Sequence, residues 1–183
     1  MAFSVEGYAI VTADGMIADE HGIIPDSLKY EADQRYFSDG IDRAALLVHG
    51  RNSHEGQPNS PRRRRFWLTR GVQALEQVSA LEWRWNPAGI DVFDATRRIG
   101  LETGIIAVLG GTTVFDLFLP RYRAFHLSRA GKARQPGGTP VLSAVLEGFS
   151  VEQILAREGF VAEPTLVLDA ENEVTATTWA REV

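Results

Sequence analysis

Two short segments of the chain are continuously apolar and end at a glycine, and they limit the folds that it can adopt. They are Ala44–His49 (AALLVH), followed by Gly50, and residues 104–109 (GIIAVL), followed by Gly110. A strand exposed on one face alternates apolar and polar residues, whereas an unbroken apolar run is typical of a strand covered on both faces. The two segments therefore predict central parallel strands packed between layers of helices.

The remaining segments predict the other elements of an α/β domain. Strands are expected at Phe3–Thr12, 65–69, 81–85, 124–128, Leu166–Asp169 and 174–179. Helices are expected from an N-cap at Asp26 or Ser27 to Gly40, and over 90–99 and 114–119, while 16–25 is expected to be a loop. This order predicts one three-layer α/β/α domain over residues 1–183, with a mainly parallel central sheet and an antiparallel C-terminal end. Residues 141–183 receive no role beyond completing the sheet.

Composition excludes several classes of function. The chain has no cysteine, which removes disulfides, thiolate zinc sites and cysteine nucleophiles. The net charge of −5 (19 basic minus 24 acidic residues) argues against nucleic acid as a partner. No apolar run approaches the ~20 residues of a membrane span and no basic N-terminal region precedes Glu6, so we expect a cytoplasmic protein that does not contact membranes. The histidines lack metal-ligand spacing and no Gly-x-Ser-x-Gly motif occurs, so neither a metal nor serine hydrolysis is expected.

Glycine and polar residues follow the predicted parallel strands, at the edge where open α/β sheets bind ligands. Gly110 and Gly111 join a buried strand to a helix start, where free backbone N–H groups favour an anion, although a tight turn alone also needs glycine. Guanidinium and hydroxyl groups follow two other strands, at Arg51, Ser53, Thr69 and Arg70. Each is also an ordinary solvated strand end, but together they indicate a dinucleotide with an additional ribose phosphate.

Asp33 is a candidate functional carboxylate because it lies in an amphipathic helix among aromatic residues. Tyr30, Tyr36 and Phe37 surround it in sequence, and the spacing of four residues places Asp33 and Phe37 on one helix face. A buried carboxylate without a partner handles protons or binds an amidine-like group. The alternative is an exposed helix acid with no function.

Six sequence blocks occur in an order that resembles the dihydrofolate reductase superfamily, which includes the reductase half of bifunctional riboflavin-biosynthesis deaminase-reductases. The blocks are TADGMIAD, DQRYF, HGRNS, FWLTR, VLGGTTVFDLFLP and HLSR, and the resemblance covers residues 4–140. It implies a dihydrofolate reductase-like fold, NADPH as cofactor and a cis peptide at the glycine pair. The resemblance leaves open whether the protein is a monomer or a homodimer.

The resemblance also implies roles for individual residues. Asp33 and Ser128 are implied as catalytic residues that hold the pterin edge, and Tyr30, Phe37 and Arg63 as substrate-binding residues. The implied cofactor-binding residues are Ile10, Ile17, Arg51, Asn52, Ser53, Leu68, Thr69, Arg70, Gly110, Gly111, Thr112, Thr113 and Val114. The implied activity is hydride transfer from NADPH to a C=N bond of a small pterin-type heterocycle such as dihydrofolate.

Two departures from the family pattern keep alternatives open. Pro25-Asp26 stands where true dihydrofolate reductases usually have Pro-Trp, and the segment from there to Asp33 is about two residues longer. The deaminase domain of the riboflavin-pathway enzymes is absent from this sequence. One alternative is therefore reduction of a riboflavin-pathway ribosylaminopyrimidinone phosphate, and the other is a non-catalytic relative that binds NADPH.

Overall fold

The computed structural model describes residues 3–181, in which ten strands form one large sheet, two form a separate ribbon and four α-helices complete the fold. The strands are β1 Phe3–Thr12, β2 Met16–Ala18, β3 Ala44–His49, β4 Arg65–Leu68, β5 Leu75–Ser79, β6 Glu82–Trp85, β7 Gly104–Val108, β8 Ala124–Ala130, β9 Thr139–Pro140, β10 Phe160–Ala162, β11 Leu166–Asp169 and β12 Val174–Arg181. The helices are α1 Glu31–Ile41, α2 Val92–Arg98, α3 Thr112–Phe118 and α4 Val151–Arg157. None of the helices within residues 3–181 combines the length and apolarity that crossing a membrane requires.

The main sheet has the strand order β10-β12-β8-β1-β7-β3-β4-β6-β5, with β11 paired to β12. The six strands from β8 to β6 in this order are parallel to their neighbours, as predicted. The sheet is antiparallel at both ends, at β12 and at β5, whereas the sequence predicted this at the C-terminal end alone. The strand β5 escaped prediction because its residues are mostly exposed, which removes the apolar signal.

The sheet separates two apolar layers, which explains the continuous apolar strands. Leu46 and Val48 of β3 pack into the core formed with α2, α3 and α4, while Leu47 packs under α1 on the opposite face. In β7, Ile106 points to the first core and Ala107 to the second. The predicted three-layer α/β/α arrangement is therefore confirmed.

Several predicted boundaries are wrong for local reasons. Helix α1 begins at Glu31, because the backbone is extended at Lys29 and Tyr30. The Asp26 carboxylate caps no helix and accepts a hydrogen bond of 2.8 Å from Lys29 Nζ. Residues 26–28 form a 3-10 turn instead. The predicted loop at 16–25 contains β2, which pairs with β9 in a small separate ribbon. Helix α3 begins at Thr112, two residues earlier than predicted, and α4 and β10 were not predicted.

Candidate active site

A cleft of about 980 Å³ opens beyond the carboxyl ends of the parallel strands, between α1, the start of α3 and the segment after β3. It collects most of the residues that the sequence selected. These are Ile10, Ile17, Asp33, Phe37, Arg51, Asn52, Ser53, Leu68, Thr69, Arg70, Gly111, Thr112, Thr113, Val114 and Ser128. Residues from distant parts of the chain meet here because parallel strands present their carboxyl ends at one edge of the sheet.

Gly110 lies behind the wall of the cleft and has a structural role. Its φ of +99° favours glycine, and a Cβ atom there would lie 2.6 Å from Cε2 of Phe115. Its carbonyl oxygen accepts a hydrogen bond of 2.7 Å from the N–H of Gly50, which joins the ends of β7 and β3. The peptide between Gly110 and Gly111 is cis, as the resemblance implied.

Gly111 is different, because neither its backbone nor its packing requires glycine. Its φ is −70°, and the nearest atom to a Cβ placed there is the Ser53 Oγ at 3.6 Å. Gly111 lines the cleft as the N-cap of α3, so the missing side chain leaves space beside the first turn of the helix. The N–H groups of Thr112 and Thr113 have no acceptor within a helix that starts there. This combination fits the pyrophosphate of a dinucleotide.

Two arginines supply positive charge to the same cleft. Arg51 and Arg70 are exposed and line it. Within residues 3–181, neither has a carboxylate within 4 Å. Their guanidinium groups are therefore available to a phosphate monoester.

Arg63 does not reach the cleft, which corrects its predicted role in binding a substrate carboxylate. Its side chain is buried, and its guanidinium donates to Glu55 Oε2 at 2.9 Å and to Asp42 Oδ1 at 2.5 Å. Arg65 is buried beside it and donates to Glu55 Oε1 at 3.1 Å. Half of the basic run at 62–65 is thus neutralised inside the fold.

The predicted substrate contact of Tyr30 is also corrected. Tyr30 precedes α1 as its N-cap and is absent from the wall of the cleft. Its ring packs instead beside the small cluster of Leu28, Ala130 and Ala133. The reason is the late start of α1, which leaves Tyr30 on extended backbone instead of the helix face that carries Asp33.

Asp33 lies in the first turn of α1 and is 6% exposed. Burial raises the pKa of Asp33, and the hydroxyl of Ser128 opposes that rise by hydrogen bonding. Ser128 lies on β8 directly beside Ile10 of β1 in the sheet register. No cation lies within 4 Å of the carboxylate among the residues that the structure describes. The arrangement offers oxygen acceptors to a ligand that carries N–H donors.

A polar cluster deeper in the cleft was missed by the sequence reasoning. The rings of Tyr8 and His126 stack with centroids 4.4 Å apart, and both line the cleft together with Tyr36. Glu6 accepts a hydrogen bond from the Tyr8 hydroxyl at 2.8 Å and lies 3.2 Å from Nε2 of His126. Burial would raise the pKa of Glu6, but these two hydrogen bonds lower it overall. The detectable signal was the two-residue period that places Glu6, Tyr8 and Ile10 on one face of β1.

Comparison with known proteins identifies the fold. No family model matches the sequence, and no curated protein matches it. A protein from Shewanella sp. PV-4, assigned provisionally to riboflavin biosynthesis, is similar with a TM-score of 0.69 and 18% identity over 98% of this chain and 99% of that one. Dihydrofolate reductase from Enterococcus faecalis, solved with NADP(H) and RAB-propyl, gives 0.65 and 16% over 98% and 97%. The chain therefore has the dihydrofolate reductase-like fold that the resemblance implied.

Proposed function

We propose that this protein is an NADPH-dependent reductase that acts on a C=N bond of a pterin-type heterocycle such as dihydrofolate. The observation that carries the proposal is that one cleft holds both an anion-binding position beside Gly111 and the buried Asp33 carboxylate, which has no cation within 4 Å among residues 3–181. When bound, NADPH supplies a hydride to the carbon of the C=N bond.

The cofactor half of the cleft is formed by backbone and arginine donors. The N–H groups of Thr112 and Thr113 beside the bare Gly111 would hold the pyrophosphate. Arg51 and Arg70 would bind the 2′-phosphate, which favours NADPH over NADH. The structural similarity to a dihydrofolate reductase solved with NADP(H) supports this assignment.

The substrate half of the cleft orients a heterocycle by hydrogen bonds. The Asp33 carboxylate accepts from the N–H groups of an amidine-like ring edge, and the Ser128 hydroxyl supports the carboxylate. Phe37, one helical turn further along α1, packs against the ring. These residues contribute to catalysis by positioning the substrate, because a fixed geometry removes much of the entropic cost of reaction.

The substrate assignment is tested by following the loss of NADPH absorbance with dihydrofolate as acceptor, in the native protein and in Asp33→Asn. We expect turnover in the native protein and at least a hundredfold loss in the variant, since ordered positioning is worth roughly that much or more. NADPH affinity should stay within a few-fold, because Asp33 lies in the other half of the cleft. Normal turnover in Asp33→Asn would remove this residue from the mechanism.

The cofactor assignment is tested by titrating NADPH and NADH into matched variants. Arg51→Ala should weaken NADPH roughly tenfold and leave NADH nearly unchanged, because a charged hydrogen bond to phosphate is worth about 1.5–3 kcal/mol. Gly111→Ala should lower the affinity for both dinucleotides, since the added methyl group would occupy the space proposed for the pyrophosphate. Arg64→Ala, an exposed arginine of the basic run outside the cleft, is the control. Equal losses for both dinucleotides in Arg51→Ala would refute the 2′-phosphate assignment.

A second candidate function is reduction of a ribosylaminopyrimidinone phosphate of the riboflavin pathway. The similarity to the Shewanella protein favours it, and Lys29 on the wall of the cleft supplies a cation for the ribose phosphate. Competition by ribose 5-phosphate against turnover would support this substrate, and indifference to it would count against it. Saturable NADPH binding without turnover on either substrate class would favour a non-catalytic relative.

A further inference from the structure

We infer that Tyr36 is a second substrate-binding group, which donates a hydrogen bond to a ring carbonyl oxygen of the heterocycle. The inference rests on the proposed function and assigns Tyr36 to recognition of the oxo group that pterins carry near the amidine-like edge held by Asp33. Its basis is the polar cluster of Glu6, Tyr8, His126 and Tyr36 at the deep end of the cleft.

The sheet register places this cluster one step below the Asp33 site. Tyr8 lies beside His126, and two residues further on Ile10 lies beside Ser128, so both pairs face α1. Two strand residues span about 6.6 Å. Asp33 and Tyr36 are three residues apart on α1, a rise of about 4.5 Å on one side of the helix. Both side chains line the cleft, and a spacing of this size lets one heterocycle contact both.

The partners of the two His126 ring nitrogens leave the Tyr36 hydroxyl free to donate to a ligand. Nε2 of His126 faces the Glu6 carboxylate, an acceptor, so this nitrogen carries a proton. The other ring nitrogen, Nδ1, lies 3.1 Å from the Thr178 hydroxyl and 3.4 Å from the Tyr36 hydroxyl. The shorter contact makes Thr178 the partner of Nδ1 and leaves Tyr36 with a weak contact. The O–H of Tyr36 therefore has a better partner in a ligand acceptor than in the protein.

The two sites recognise opposite hydrogen-bonding groups. Asp33 accepts and Tyr36 donates, so together they match a ring with an amino group on one side and an oxo group on the other. A 2,4-diamino ring presents a donor there, which the Tyr36 oxygen accepts only when its own proton turns to the more distant His126 Nδ1, 3.4 Å away. The half-buried Tyr36 hydroxyl then has a weaker partner than the oxo group would offer, so the site favours the oxo ring.

The test measures binding of 2-amino-4-oxopteridine and of 2,4-diaminopteridine to the full chain with saturating NADP⁺. The variants are Tyr36→Phe, which removes the hydroxyl alone, and Tyr30→Phe, which removes a hydroxyl outside the cleft. Tyr36→Phe should weaken the oxo compound about tenfold and leave the diamino compound unchanged or tighter, because one neutral hydrogen bond is lost. Tyr30→Phe should leave both affinities as in the native protein.

A third variant tests the role of the hydrogen-bond network without altering the cleft. Thr178→Val removes the partner of His126 Nδ1, so the Tyr36 proton turns toward the imidazole and the preference for the oxo compound should fall. The inference would be overturned if Tyr36→Phe left the ratio of the affinities for the two pteridines unchanged. If the native protein binds both and Asp33→Asn abolishes binding while Tyr36→Phe changes nothing, the inference fails and the proposed function stands. If the native protein binds neither pteridine, both fail.

Discussion

Replacement of Glu55 by glutamine tests how the wall of the cleft is held in place. The Glu55 side chain is 3% exposed and accepts from Arg63 at 2.9 Å and from Arg65 at 3.1 Å. Its neighbour in sequence, His54, receives a further contact of 3.1 Å from Arg65. Arginines on and beside β4 therefore anchor the segment that carries Arg51 and other residues of the cleft.

The size of the effect follows from what each arginine keeps. Removal of one charge from a buried ion pair costs about 3–5 kcal/mol, because the other charge stays buried without compensation. Arg63 retains Asp42 at 2.5 Å, and Arg65 retains the Ser60 carbonyl oxygen at 2.7 Å and Glu82 at 3.6 Å. We therefore expect a loss near the lower limit, about 3 kcal/mol.

The assay is urea and thermal unfolding followed by circular dichroism. A loss of about 3 kcal/mol in a domain of this size lowers the Tm by roughly 6–12 °C. Glu82→Gln is the control, because Glu82 contacts the same Arg65 but is 30% exposed and 3.6 Å away. That variant should lose less than about 1 kcal/mol. The reasoning would be refuted if Glu55→Gln lowered the free energy of unfolding by less than about 1 kcal/mol, or if Glu82→Gln lowered it by as much as Glu55→Gln.

The same variant has a defined pH dependence. Burial would raise the pKa of Glu55, but hydrogen bonds from the Gln57 N–H and other donors, together with the charge of Arg63, lower it below its ordinary value of 4.5. The carboxylate therefore stabilises the fold above that ordinary value, and the stabilisation is lost as the pH falls through the lowered pKa of the folded state. The stability gap between native and Glu55→Gln should narrow on acidification below 4.5.

Three further predictions concern other parts of the molecule. Asp33→Asn should be more stable than the native protein at neutral pH. Burial raises the Asp33 pKa, so the stability of the native protein falls as the pH rises from the ordinary pKa to the raised one. Urea titrations below and above this pH range should show the fall in the native protein and not in the variant. Gly89→Ala should destabilise by more than about 3 kcal/mol, because its Cβ would lie 1.8 Å from the Gln73 carbonyl oxygen. Gly56→Ala is the control and should stay within about 0.5 kcal/mol in the same assay, because its Cβ would have no atom within 4 Å beyond the adjacent residues of the chain. Ser150→Ala removes the capping box of α4 and should cost about 1 kcal/mol in thermal unfolding without changing NADPH affinity.

The sequence predicted the centre of the fold better than its edges. The strands β3 and β7 are buried on both faces, so their residues carry an apolar signal that does not depend on neighbours. The edge strand β5 is mostly exposed, and β2 has three residues, of which Met16 and Ala18 pair with Pro140 and Thr139, far away in sequence. Pairing between distant segments leaves no local pattern when neither segment is long or apolar.

The same distinction applies to the candidate site. Residues at strand ends were predictable because the topology of a parallel sheet brings them together, and Asp33 was predictable from helical spacing. The run of four arginines was not, because its members alternate between solvent and the interior. Arg63 and Arg65 turn inward toward Glu55, and nothing in the local sequence specifies that a carboxylate eight or ten residues earlier lies there.

The arginines around Glu55 and those of the cleft differ in whether the fold supplies their anionic partners. Where the fold uses charge for its own stability, as at Glu55, cation and anion are paired inside the protein. In the cleft the pattern is reversed: Arg51 has no carboxylate partner within residues 3–181, and Asp33 is buried without a cation. A buried charge without a charged partner destabilises the folded state, so the rest of the fold has to offset the cost of the Asp33 carboxylate. In the proposed function, a phosphorylated dinucleotide would bring a phosphate to Arg51, and the heterocycle would bring N–H donors to Asp33. Each group would then gain the partner that the fold does not supply.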